Sequence, residues 1–200
     1  AEGVKGGAYS VAQVLDRASW EQVAVWRGHI DPAIFGKVMC DIGYWYNNGI
    51  LIPENNNHGW STIGRIKEEE YPHLLNTVDL WPEGEQKKDG LPTNEKTKNL
   101  VVSAIRNALN EFTVILNDET TVNELKSCVI DEKGKMVSQE GYWIDTVMAL
   151  GIGLYSLKFL SLDETYRQQK DNKPITALYF GQVDRGENSR STGSRRRTGY

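Results

Sequence analysis

The sequence predicts a mixed α/β domain, a sheet flanked by helices with an added hairpin at one edge. Three observations carry this. Two alternating stretches near the N-terminus are joined by a three-residue turn. Segments of helical periodicity then alternate with short apolar runs. Near the other end lies a nearly all-apolar helix, TVMALGIGLYSLKFL. The resulting order is hairpin, helix, strand, helix, strand, helix, strand, hairpin, helix, with antiparallel strands at one edge and no internal repeat.

Tyr9–Asp16 and Trp20–Arg27 form the first hairpin around Arg17-Ala18-Ser19. The second strand sets Trp20, Gln22, Ala24 and Trp26 on one face against Glu21, Val23, Val25 and Arg27 on the other. Asp31 caps a helix with Pro32 at its first position. Ile34, Phe35, Val38, Met39, Ile42, Trp45 and Tyr46 mark its apolar stripe, and Asn47-Asn48-Gly49 stops it. Gly49–Glu54 is a strand. His58-Gly59-Trp60 opens a second helix running to about Glu70, before Pro72. Leu74–Leu80 holds a short strand and Trp81–Leu91 a polar loop. Pro92-Thr93-Asn94-Glu95 starts a third helix, with Leu100, Val101, Ala104, Ile105, Ala108 and Leu109 inward. Phe112–Leu116 is a strand and Val122–Lys126 a short helix. Ser127–Asp131 and Lys135–Gln139 flank the turn at Glu132-Lys133-Gly134. The apolar helix closes the domain as its central element, with Asp145 in its first turn and Gly151 and Gly153 allowing close packing.

At 200 residues, with 39% hydrophobic and 25% charged residues, the chain has ample length for a core without covalent staples. Cys40 and Cys128 are far apart in sequence, make no metal or redox spacing, and point to buried thiols in a reducing compartment. No apolar run approaches a membrane span, and no signal peptide is recognisable. The chain opens at Ala1 directly into a glycine-rich turn and reads as a piece of something longer. A net charge of −4 argues against a strongly electrostatic, sequence-independent DNA binder. The charge is uneven, however: Arg185, Arg190, Arg195, Arg196 and Arg197 stand against Glu187 alone. Residues 181–200 therefore read as a disordered basic tail, either a solvated terminus or a phosphate-binding arm, and residues 1–180 as the folded domain.

The stretch with most chemical content is ILIPENNNHG, Ile50–Gly59. An apolar strand that stops at one carboxylate delivers Glu54 to the tip of a sheet, where open α/β folds hold their chemistry. Asp145 is the second candidate. A carboxylate in a first helical turn is commonly no more than a favourable partner of the helix dipole. Here it precedes an apolar helix, which places it at the rim of the core. Two rim carboxylates can share Mg²⁺ or Mn²⁺, but a two-metal site usually needs three or four acids. His29, His58 and His73 are scattered, and neither a nucleophile elbow nor a phosphate-binding P-loop occurs. Trp26, Trp45 and Trp60 read as core; Trp81 and Trp143 are more open to base stacking.

The segments AEGVKGGAYSVAQVLD, WRGHIDPAIFGKVMCDIGYWYNNGILIPENNNHGWSTIGRIK, GLPTNEKTKNLVVSAIRNAL and EGYWIDTVMALGIGLYSL resemble the C-terminal nuclease domain of tailed-bacteriophage terminase large subunits. The E-x-N-x-x-G element after a strand is the most specific part, and Thr93–Thr97 is supportive. The resemblance covers nearly all of residues 1–180. It implies a ribonuclease H-like mixed sheet and a metal-dependent DNA endonuclease that cuts concatemeric DNA during viral packaging. It also implies Mg²⁺ or Mn²⁺ at a two-metal site. Double-stranded DNA, the terminase ATPase domain, the small terminase subunit and the portal would be partners, in the cytoplasm of the infected bacterium.

Carried over residue by residue, the resemblance makes Glu54 and Asp145 catalytic and metal-binding. It also marks departures. The acidic pair that usually begins the last helix reads Ile144-Asp145 here, Ala8 stands where an aspartate is frequent, and the first-strand aspartate falls before Ala1. The expectation is a nuclease fold with weak or absent catalysis. The alternatives are a DNA-gripping or motor-docking module on the same fold and, less in keeping with the asparagines after Glu54, another ribonuclease H-like enzyme such as a resolvase or transposase.

Overall fold

Ser10–Leu15 (β1) and Gln22–Gly28 (β2) pair antiparallel, with Ser10 opposite Gly28, Val14 opposite Ala24 and an irregularity before Leu15. The computed structural model that shows this describes residues 7–56, 58–81, 87–132, 136–139 and 143–160. All of these belong to one compact unit within residues 1–163. The glycine-rich opening, part of the 81–91 loop, the hairpin turn at 133–135, residues 140–142 and the arginine-rich tail lie outside the described residues. In the first hairpin, Asp16 accepts from the amides of Ala18 and Ser19, both at 2.9 Å. Gln22 is 1% exposed and Val23 42%, so the face carrying Gln22 turns inward.

Pro32–Trp45 forms α1, capped by Asp31, which accepts from Ala33 N at 2.8 Å and Ile34 N at 3.2 Å. The expected apolar stripe is only partly covered: Phe35 meets Trp26 at 5.4 Å and Met39 packs beside Cys40 and Leu51, but the fully buried residues are others. Gly36, Cys40 and Gly43 are buried, while Ile34 is 56% exposed and Trp45 43%. The reason is close helix packing: α1 lies so near α2 (Gly59–Glu68) that a Cβ on Gly36 would sit 2.6 Å from the Thr62 carbonyl oxygen. Small residues make this approach possible and turn the larger ones aside. Asn47 and Asn48, at φ of 59° and 55°, end the helix in left-handed backbone that asparagine tolerates.

The strand after α1 pairs at two places. Leu51 bridges Leu74 in parallel, and β3 (Glu54–Asn55) runs parallel to β4 (Leu91–Pro92). Pro53 between them has no N–H to donate. Only the start of Leu74–Leu80 is extended. Thr77–Leu80 is a helical turn, α3, because Asn76 and Asp79 close a capping box around it. Glu95–Asn110 (α4) begins at the Asn94 cap. Its inward residues are Val101, Ala104, Ile105 and Ala108; Leu100 and Leu109 are 38% and 39% exposed. The expected strand at Phe112–Leu116 reduces to Ile115 beside Glu21, since Phe112, at φ 54° and 90% exposed, breaks the extension. Glu119–Ser127 (α5), the antiparallel pair β5 (Cys128–Ile130) and β6 (Met136–Ser138), and α6 (Asp145–Leu157) complete the order. Among the described residues the strands thus make three two-stranded pieces.

The main core is built on α6. Val147, Leu150 and Leu154 are fully buried with Leu91 and Val101, each large side chain contributing about 1.5–3 kcal/mol. Both α6 glycines pack closely, as expected. A Cβ on Gly151 would lie 2.6 Å from Val101 and Ile105 side chains, and one on Gly153 2.6 Å from Leu15. A smaller core joins Cys40, Leu51, Ile66 and Tyr71. No helix among the described residues is long and apolar enough to cross a membrane.

Candidate functional site

Parallel pairing of Glu54 with Leu91 and of Asn55 with Pro92 brings two strand ends together. Thr93, next along, donates its hydroxyl to Glu54 Oε1. The asparagines after Glu54 do structural work. Asn55 donates to the Asp89 carbonyl at 2.7 Å and accepts from Trp60 Nε1 at 2.8 Å. Asn56 accepts from Gly59 N at 3.0 Å. Gly59 lies directly under Glu54, where a Cβ would overlap the Glu54 carbonyl oxygen. The chain folds back here because the side-chain amides replace ladder hydrogen bonds and glycine leaves room. Trp60 is 70% exposed, so it is a surface residue pinned by Asn55. Like Trp45, it does not belong to the core assigned to it from sequence.

Asp145 opens α6. Ile144, at the cap position, supplies no side-chain acceptor. The Asp145 carboxylate reaches back to Tyr9, and the missing acceptor comes from α5. Asp145 Oδ2 accepts from Tyr9 N at 2.7 Å. Glu124 of α5 accepts from Thr146 N at 2.9 Å and from its hydroxyl at 2.6 Å. Glu124 also pairs with Arg27 at 3.2 Å. The Arg27 guanidinium lies over the Tyr9 ring, 3.6 Å from its centroid, and His29 stacks on the same ring at 3.9 Å. Trp143 meets it edge-on at 6.4 Å. Ala8 immediately precedes Tyr9, so positions 8, 144 and 145 lie together. Ile144 itself packs against the main core.

Behind Asp145 runs a polar network with its centre at Gln22. Gln22 donates to Gln13 at 2.7 Å and accepts from the amides of Asn117 and Asp118, both at 2.8 Å. Gln13 donates to the Thr146 carbonyl at 3.1 Å. These residues, with Arg27, Glu124 and Thr93, are the ones sequence reasoning missed. Only Thr93, beside a recognisable helix cap, carried a local signal.

Ionisation in the smaller core follows burial. Desolvation pushes the Cys40 thiol up to about 11 and raises the Tyr71 hydroxyl as well. Cys128 is also raised by burial, and both thiols are free. Neither is a ready nucleophile.

The carboxylates reach different partners, Glu54 to Thr93 and Asp145 to Tyr9. Oxygen donors of this kind suit Mg²⁺ or Mn²⁺. Among the described residues no three His, Cys, Asp or Glu side chains gather to hold a metal ion, whereas a two-metal centre usually takes three or four acids. No family model matches the chain, and no curated sequence does. A solved structure does match: the large terminase nuclease from the thermophilic phage G20c, crystallised with bound magnesium. The TM-score is 0.59 at 17% identity, over 74% of this chain and 74% of that one. The chain resembles a large terminase nuclease in fold. That agreement extends across most of both chains and reaches the mixed α/β architecture expected from the sequence.

Proposed function

We propose that the chain is the nuclease-fold domain of a viral DNA-packaging terminase, with ribonuclease H-like topology, acting on double-stranded DNA and cutting it weakly as it stands. The observation that supports this best is the fold likeness to a magnesium-containing terminase nuclease, joined to the placement of Ala8 beside the Tyr9 amide that binds Asp145. Glu54 and Asp145 are the oxygen donors a divalent ion would use. With Ala8 and Ile144 in place of acids the set is short of ligands and charge, which lowers metal affinity and rate together. In the whole protein, residues 1–180 would form this domain and the arginine-rich tail a separate arm. An ATPase domain, a small subunit and a portal would be its partners in the bacterial cytoplasm.

A second reading, a DNA-gripping or motor-docking module, draws on the incomplete donor set among the described residues. Cleavage of supercoiled plasmid in Mn²⁺ separates the two. The endonuclease reading predicts slow nicking by the unaltered chain and faster nicking by the Ala8→Asp, Ile144→Asp double variant. DNA binding with no nicking by either protein favours the gripping module. Robust cutting by the unaltered chain overturns the assignment of Ala8 and Ile144 as lost ligands.

A further inference from the structure

We infer that Glu124 is the positioning residue of Asp145, a role that rests on the functional reading of Asp145 given above. The five residues form a closed circuit. Asp145 holds the Tyr9 amide at 2.7 Å; the Tyr9 ring carries the Arg27 guanidinium at 3.6 Å. Arg27 pairs with Glu124 at 3.2 Å, Glu124 binds Thr146 N at 2.9 Å, and Thr146 follows Asp145 in the chain. Glu124 therefore reaches Asp145 from both sides, through the backbone of α6 and through the β2 cation that pins Tyr9.

Its need follows from the neighbouring residue. Ile144 cannot accept the free amides of the first helical turn, so an acceptor has to arrive from elsewhere. Glu124, with 7% of its side chain exposed, supplies it from α5. The carboxylate does two things at once. One oxygen fixes the rotation of the first turn of α6, and with it the direction in which Asp145 projects. The other neutralises Arg27, which can then rest on Tyr9 in place of turning to the Asp145 carboxylate. Without Glu124, Asp145, which shares Tyr9 with Arg27, is left to compete for that guanidinium, and the acid would be drawn into an ion pair.

The test reads the Tyr9 amide in the full ¹⁵N-labelled chain, which requires neither metal nor DNA; its outcome is independent of the plasmid assay. Glu124→Ala should move the Tyr9 amide resonance toward its position in Asp145→Asn. It should also speed Tyr9 hydrogen exchange about tenfold, the effect of losing a charge-assisted bond. The mid-helix Leu150 amide resonance should move much less. Glu124→Gln, which keeps an oxygen for Thr146 but no charge for Arg27, should restore only part of the Tyr9 protection. Should Glu124→Ala not fold, Arg27→Met carries the test, with a smaller shift in the same direction. An unmoved Tyr9 amide in the folded variant, or a Leu150 resonance displaced as far as that of Tyr9, would overturn the inference.

Discussion

Around Glu54, the turn is made by its own neighbours: Asn55, Asn56, Gly59 and Trp60 hydrogen-bond or pack within one short stretch, and Thr93 arrives from the adjoining strand end. Around Asp145 the partners are far apart in the chain. Tyr9 lies 136 positions away and Glu124 supplies Thr146 from 22 positions away. The turn that carries one carboxylate is built by a local motif, although Thr93 reaches the carboxylate itself from 39 positions away, whereas the other carboxylate is held by a circuit that closes only when four segments have docked. A local turn can deform without unfolding the domain. A circuit of buried polar groups fails with the fold around it, since each lost partner leaves another group unsatisfied.

Substitutions on the two sides should therefore differ in size. The largest effect belongs to Glu124→Ala, which leaves Arg27 without its partner and Thr146 N without an acceptor. We expect about 3 kcal/mol lost in urea unfolding, the low end for a broken buried pair because Arg27 still reaches solvent. Gln22→Leu removes the acceptor for two amides and should cost about 2–3 kcal/mol in the same measurement. On the Glu54 side, Gly59→Ala forces the Glu54 carbonyl aside and should cost about 2 kcal/mol, with amide resonance shifts confined to Leu51–Ile66. Resonance shifts that spread into α6 would erase the contrast between the two sides.

Alkaline pH sharpens it from another direction. Cys40 has an ordinary value of 9.0 and a folded value of about 11, so the folded state holds this proton more tightly. Its stabilising contribution is complete below pH 9 and is lost as pH rises through 11. Tyr71 shifts in the same direction. Amide exchange followed upward from pH 8 should show the smaller core loosening before α6. Smallest of all, Trp60→Ala should change stability by no more than about 0.5 kcal/mol, because the indole is exposed and held mainly by Asn55.

The same contrast explains what was legible in the sequence. Hairpin alternation, the Asp31 cap, the helix start at Pro92-Thr93-Asn94-Glu95, the apolar α6 and the position of Asp145 in its first turn are local signals, and all appear in the structure. The stripe on α1 was misread because apolar periodicity identifies large residues, whereas here Gly36, Cys40 and Gly43 set the contact by being small. Trp60 was misread because nothing local says which side of α2 is covered. Glu124 and Gln22 were invisible for a different reason. Their value depends on groups brought in by folding, and a glutamate on a short helix is ordinarily a solvated one.

A calorimetric Mn²⁺ titration tests the central claim, that Glu54 and Asp145 are what remains of a metal-binding site. The account predicts weak binding by the unaltered chain, loss of that binding in Glu54→Gln and in Asp145→Asn, and tighter binding in the Ala8→Asp, Ile144→Asp variant. Binding that is indifferent to Glu54→Gln and Asp145→Asn would contradict it.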